Sequence, residues 1–255
     1  MTRIIPAVLL IFFLISSSLY AQSVSGDYLN VTYFNVDRES LPGFLEDVEE
    51  WKESNQQLLD DSDRTAWRLY RVPYSSNESI WYNFVAVEIA PNLNALQSSE
   101  RNNVITLQDE IDQKVKSSFA VHSEIWKTEE DVFGESSSPS RYVNTNFMYA
   151  VPETIDEYLE LENDIAAPLH QHQTERDRMD GWNLNRLVFP TGTTVAYNFI
   201  TADHYSNLEQ INMGITRRII TRVHPEMDVD EFEDFADSIR ERVWSDLWEL
   251  IEFAE

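Results

Sequence analysis

The chain has 255 residues, no cysteine, 42% hydrophobic residues and a formal net charge of −26. That is enough apolar material for a sizeable core, in one large domain or two small ones. So acidic a surface repels nucleic-acid phosphates and anionic lipid headgroups, which makes DNA, RNA and anionic membranes poor partners and favours high solubility.

The first 21 residues read as a secretory signal. Arg3 is followed by an apolar run from Ile4 to Ile15, then Ser16–Ser18 and Ala21, the order of n-region, h-region and small-residue cleavage site. The run is short for a membrane-spanning helix. Cleavage after Ala21 would start the mature chain at Gln22 and take the net charge from −26 to −27. No cysteine follows the apolar run, so lipid attachment there is excluded, and so are disulfides. The expected location is the periplasm or the medium, with no membrane contact in the mature form.

The next segment, "YLNVTYFNV" (28–36), is rich in aromatic and β-branched residues and reads as a strand. Leu41, Phe44, Leu45, Val48 and Trp51 then recur at helical spacing, with Ser40 placed to cap the start. Two strands follow, "TAWRLYRVPY" and "WYNFVAVEI", joined by a polar loop. Leu107, Ile111, Val115 and Phe119 predict a second helix over 104–127. "FGESSSPSR" (133–141) reads as a linker. Beyond it the order recurs: the strand "YVNTNFMYAV" (142–151), a helix bearing Ile155, Tyr158, Leu159, Ile165 and Leu169, and the strands "GWNLNRLVFP" and "VAYNFITAD". A helix over 229–252 is predicted from Phe232, Phe235, Ile239, Val243, Leu247 and Ile251, with Asp228 as its cap and Glu231 as capping-box partner.

The recurrence is residue by residue. At an offset of 115, Trp67, Leu69 and Arg71 meet Trp182, Leu184 and Arg186, and "YNF" at 82–84 meets "YNF" at 197–199. Upstream the offset is 114, so the second copy has one extra residue between helix and strand. "VHSEIW" (121–126) and "VWSDLW" (243–248) also echo each other. The chain reads as two tandem β-α-β-β-α repeats of ferredoxin-like order, over 22–132 and 142–255, in an α+β protein. A single sheet with helices on one face leaves the other bare, and two copies can cover each other.

In element order these tandem units resemble the dimeric α/β-barrel superfamily with both halves fused in one chain. That superfamily includes antibiotic-biosynthesis monooxygenase-like, muconolactone-isomerase-like, haem-degrading and chlorite-dismutase-like haem proteins. With its export signal and paired "AW" and "GW" strands, the chain looks like exported bacterial members. The resemblance implies a pseudo-dimeric barrel closed within one chain, compatible with a monomer. It also implies a ligand pocket between a sheet and its helices or in the central space. It carries no catalytic motif, and fold alone assigns no chemistry.

Polar residues repeated in both halves are the first candidates for a site. Arg71 and Arg186 could clamp an anionic ligand, or each could end its strand in an ion pair. Asn83 and Asn198 could orient a ligand carbonyl, or bond neighbouring backbone. Trp67 and Trp182 could stack a ligand or fill the core. Five histidines are present, His122, His170, His172, His204 and His224. His170 and His172 are two apart, which sends them to different helix faces. The resemblance implies a histidine ligand if haem is bound, and His172 and His204 are the candidates. No thiolate site, Gly-rich phosphate loop, G-x-S-x-G elbow or EF-hand loop is present, and no metal or obligatory cofactor is expected. Three readings stand: a binder of a small, partly apolar ligand; a cofactor-independent or haem-dependent oxygenase or isomerase; or a structural or partner-binding module.

Overall fold

The computed structural model describes residues 22–96, 119–135, 138–192 and 195–255. Eight antiparallel strands close into a barrel in the order β1-β3-β2-β8-β5-β7-β6-β4. The strands are β1 (Tyr28–Phe34), β2 (Ala66–Ser75), β3 (Phe84–Ala90), β4 (Ala120–Phe133), β5 (Tyr142–Ala150), β6 (Gly181–Phe189), β7 (Phe199–Tyr205) and β8 (Arg240–Ala254). Each half of the chain supplies four adjacent strands in the same order, 4-1-3-2 and 8-5-7-6. The halves join where β2 pairs with β8 and β4 with β6. Closure leaves no open sheet edge. Gly181 pairs with Phe133 on β4. A Cβ on Gly181 would stand 2.0 Å from the Phe133 ring, so the "GW" strand needs glycine there.

Alternation along each strand sorts side chains into two layers. Leu29, Val31, Tyr33, Val85, Val87, Phe147, Ile200 and Trp248 point inward and fill the barrel. Phe34, Trp67, Leu69 and Phe84 point outward beneath α1 (Leu41–Asp60), with Phe44, Val48 and Trp51 of that helix on top. Met148, Trp182, Leu184 and Phe199 make the corresponding outer layer of the second half. Its cover is more broken. A 3-10 turn (Pro152–Thr154) leads into α3 (Ile155–Leu161), a π turn (Glu162–Ala166) and α4 (Ala167–Thr174). In the first half the short α2 (Leu93–Leu96) follows β3; in the second, α5 (Leu208–Ile211), α6 (Arg217–Val223) and α7 (Val229–Ile239) follow β7. Among the described residues no helix is long and apolar enough to cross a membrane.

Two expectations are corrected. The segments predicted as the last helix of each half end in long strands: 120–133 is β4, and 240–254 is β8. The helix predicted from 229 stops at Ile239. Residues 104–118 lie outside the described set. Val243, Leu247 and Ile251 are spaced four apart, which fits a helical stripe and equally the period of two of a strand. Ser40 sits at the start of α1 but makes no capping bond. Its hydroxyl donates to Asp37, whose carboxylate also accepts from the Glu39 and Ser40 N–H groups. Asp228 does cap α7, accepting from the Asp230 and Glu231 N–H groups.

Candidate functional site

The two outer layers differ, and the difference makes a site. In the first half Trp51 closes over Trp67, with ring centroids 4.9 Å apart, and meets Phe34 edge-on at 5.5 Å. That layer is packed solid. In the second half Trp182 is covered by His170, whose ring lies flat on the indole at 4.8 Å and 6°. Around that pair is a cavity of about 390 Å³. Its floor is the outer face of β5, β7 and β8, and its roof the π turn, α4, α6 and α7. A π turn accommodates one residue more than an α-helix in the same span, which matches the one-residue slip between the halves.

The lining is apolar at Met148, Leu161, Leu169, Ile220 and Phe232, and polar at Asn146, Glu162, His170, Thr201, Asp203, Asp237, Arg240 and Arg242. Glu162 is buried and ion-paired to Arg240. Burial raises the Glu162 carboxyl pKa, against the pull of that guanidinium. Asp203 accepts from the side-chain amides of Asn144 at 3.1 Å and Asn146 at 3.3 Å. Burial outweighs those bonds and pushes it up to about 6. His170 Nδ1 is buried without a hydrogen-bond partner and stands 3.8 Å from Asp203 Oδ1. Burial, then the Arg240 charge, holds His170 down to about 3, so the imidazole is neutral at pH 7. An imidazole held that low is a weak base, and the Asp203 carboxylate, pushed up to about 6, is the group matched to take a proton near neutral pH.

The repeated residues occupy other places. Arg71 and Arg186 lie on β2 and β6, four strands apart either way round the barrel, and both point outward. Arg71 is exposed and ion-paired to Glu249. Arg186 is exposed, with its guanidinium 5.9 Å from the Phe199 ring centroid. They do not converge on one ligand. Asn83 and Asn198 bond backbone. The Asn83 amide accepts from Val36 N at 2.9 Å and donates to Val36 O at 2.8 Å. Asn198 does the same to Ala150, at 2.7 and 2.8 Å. Each Asn thus clips its strand to the end of the neighbouring one. Trp67 is fully buried core, while Trp182 is both core and cavity wall.

His204 points into the barrel, where Nε2 lies 3.1 Å from Asn183 Oδ1. Burial holds its pKa down to about 3. The cavity it lines is about 60 Å³, the size of a few water molecules. His172 is on α4 outside that cavity, and burial with the Arg176, Arg222 and Arg178 charges lowers its pKa. Asp203 and Glu162 were not singled out by the sequence, because neither recurs as the same residue in the other half; of the two histidines on α4 it is His170, not the candidate His172, that faces the cavity.

A second polar cluster closes one end of the barrel. Glu124, 2% exposed, accepts from Tyr33 Oη at 2.7 Å, Trp126 Nε1 at 3.0 Å and Tyr197 Oη, with His122 Nε2 at 3.1 Å. Across the barrel Tyr82 donates to Asp246. The two bonds cross reciprocally: each tyrosine of the repeated "YNF" reaches the carboxylate on the other half's last strand. Burial and the nearby carboxylates raise both tyrosine pKa values far above the usual range. Among the described residues no group of three or more His, Asp or Glu is placed to hold a metal ion.

No family model matches the chain, and no curated protein does. Solved structures do. A provisionally assigned monooxygenase from Lactobacillus acidophilus has a TM-score of 0.59 at 7% identity, over 90% of this chain and 96% of that one. Another from Fusobacterium nucleatum has a TM-score of 0.58 at 12% identity, over 91% and 95%. A mutant chlorite dismutase from Candidatus Nitrospira defluvii has a TM-score of 0.53 at 13% identity, over 92% and 94%. At these identities the likeness concerns the fold alone, and it covers nearly the whole of each chain: the protein has the closed eight-stranded architecture of the dimeric α/β-barrel proteins.

Proposed function

We propose that the protein binds a small, partly apolar molecule in the cavity between the second half's sheet and its helices. One observation carries this reading. The same layer of the first half is filled by Trp51, whereas the second half leaves about 390 Å³ edged by His170, Asp203 and Arg242. That volume lies in the range of small-molecule sites. Native mass spectrometry on protein purified from an exporting host tests it. The wild type should retain or take up a small molecule, and Ala166→Trp, which fills the cavity, should not. Equal retention by both would remove the cavity from the reading.

A second reading is oxygenation without a cofactor; two of the similar structures are described as monooxygenases. Its specific support is the Asp203 carboxylate, pushed up to about 6 and 3.8 Å from the His170 ring, which faces the cavity and can accept a proton from a bound substrate. Substrate-dependent oxygen uptake that Asp203→Asn abolishes would favour catalysis over binding alone. A haem fits this lining poorly. The His170 ring lies flat against Trp182, and Glu162, Asp203 and Asp237 place carboxylates where haem propionates would seek cations. A Soret band in the purified protein would reverse that judgement.

The matching strand order of the two halves and their repeated Asn clips support a tandem duplication of a ferredoxin-like unit, with the barrel closed inside one monomer. The apolar run from Ile4 to Ile15, followed by Ser16–Ser18 and Ala21, supports export. N-terminal sequencing of exported protein should begin at Gln22, and a start at Met1 would overturn that reading.

A further inference from the structure

Each half of the barrel contains the same three-residue rung. In the first, Glu88 of β3 is flanked by Asn30 of β1 and Trp67 of β2. In the second, Asp203 of β7 is flanked by Asn144 of β5 and Trp182 of β6. Both carboxylates point outward beneath the helices. The first carboxylate meets a guanidinium: Arg64 Nη1 is 3.0 Å from Glu88 Oε2, with side chains 5% and 7% exposed. Arg64 is held in turn by the carbonyls of Ala95 and Leu96.

The second carboxylate has no such partner. Arg64 lies three residues before Trp67, and three before Trp182 stands the buried Met179. Among the described residues no Lys or Arg comes within ion-pair distance of Asp203. The ring nitrogen of His170 at 3.8 Å is neutral. Burying an unpaired carboxylate is costly. Here the carboxylate is held in place by two amides and opens onto a cavity whose far wall is apolar.

We propose that Asp203 anchors a cationic nitrogen of the bound molecule, an ammonium or guanidinium on a partly apolar skeleton. The ligand supplies from outside the charge that Arg64 supplies internally in the first half. The inference rests on the cavity being a ligand site and adds the chemical class. The local charge agrees with it: Glu162 offsets Arg240, and Asp203 and Asp237 together outweigh Arg242. An anionic ligand would meet net negative charge.

The test is calorimetric titration of the full mature chain at pH 8, where Asp203 is ionised, with three probes of one length: n-hexylammonium, n-hexanol and hexanoate. Hexylammonium should bind at least about tenfold more tightly than hexanol, since a charge-assisted hydrogen bond exceeds a neutral one by that margin. Hexanoate should bind weakest. Asp203→Asn should remove the preference for hexylammonium over hexanol, with circular dichroism showing the fold retained. If hexanol binds as tightly as hexylammonium, or the Asn variant keeps the preference, the inference is overturned while the cavity stands. If none of the three binds and Ala166→Trp changes nothing, the binding site itself fails and the anchor with it.

Discussion

Replacing Asn198 with Ala should destabilise the protein substantially and leave ligand binding at the cavity intact. The side chain makes two bonds to one buried residue, accepting from Ala150 N at 2.7 Å and donating to Ala150 O at 2.8 Å. Ala150 is 0% exposed, so water cannot replace the amide. A buried donor or acceptor left unpaired costs about 1–3 kcal/mol, which puts the two together at about 2–6 kcal/mol. Asn83→Ala should cost a similar amount, since the bonds to Val36 are 2.9 and 2.8 Å and Val36 is 4% exposed. The two sites immediately precede β3 and β7, strands opposite each other in the ring, so their effects should add to within about 0.5 kcal/mol. Urea unfolding followed by circular dichroism reads this as a lower midpoint at unchanged slope. A loss below about 1 kcal/mol for either variant would refute the clip. So would loss of ligand binding with stability unchanged, which would return the pair to a binding role.

Glu124→Gln replaces an acceptor of three hydrogen bonds by a group whose own N–H faces donors, and should lower stability by about 2–4 kcal/mol in the same urea assay; a change below about 1 kcal/mol would show that the cluster has little structural role. Asp203 sets a pH dependence. Its folded pKa of about 6 lies above the unfolded 3.8, so the folded state holds the extra proton. Its contribution is full below 3.8 and is lost as pH rises through 6, by about 3 kcal/mol. Asp203→Asn should therefore gain on the wild type between pH 4 and pH 7, and parallel stability curves would contradict the shift. Arg71→Ala combined with Arg186→Ala should leave cavity binding unchanged and shift stability by about 1 kcal/mol or less, because both side chains are exposed; loss of binding in titrations of the folded double variant would restore the clamp.

The matching strand order of the two halves was legible because several residues that hold it are identical in both. Trp67 and Trp182, Asn83 and Asn198, and Tyr82 and Tyr197 occupy equivalent places in the two sets of four strands. β4 and β8 were misread for a physical reason. Their inward positions include His122, Glu124 and Asp246, polar residues that break the alternation expected of a strand facing a core. On β8, Leu247 and Ile251 are four apart, a spacing that a helical stripe shares with one face of a strand. With polar side chains among the core-facing positions, neither strand shows a clean apolar period of two.

The candidate site escaped the sequence for the converse reason. Identity at a fixed offset finds what both halves need for closure, and a site present in one half only is defined by mismatch at that offset. Met179 in place of Arg64, His170 in place of Trp51 as the cover of the equivalent tryptophan, and a π turn where α1 runs unbroken are all differences. Each removes something that stabilises the first half: a counter-charge, an indole that fills the layer, a regular helical turn. They fall around one cavity and they coincide with the half-buried Asp203 carboxylate that opens onto it. Three unrelated losses of stability at one place are hard to account for by drift alone, because most such changes cost stability with no compensating gain. A bound ligand would restore two of the three when it enters, filling the layer and pairing Asp203, which links stability to occupancy. The half that resembles its partner least is therefore where function is to be sought, and the half that packs best serves as its scaffold.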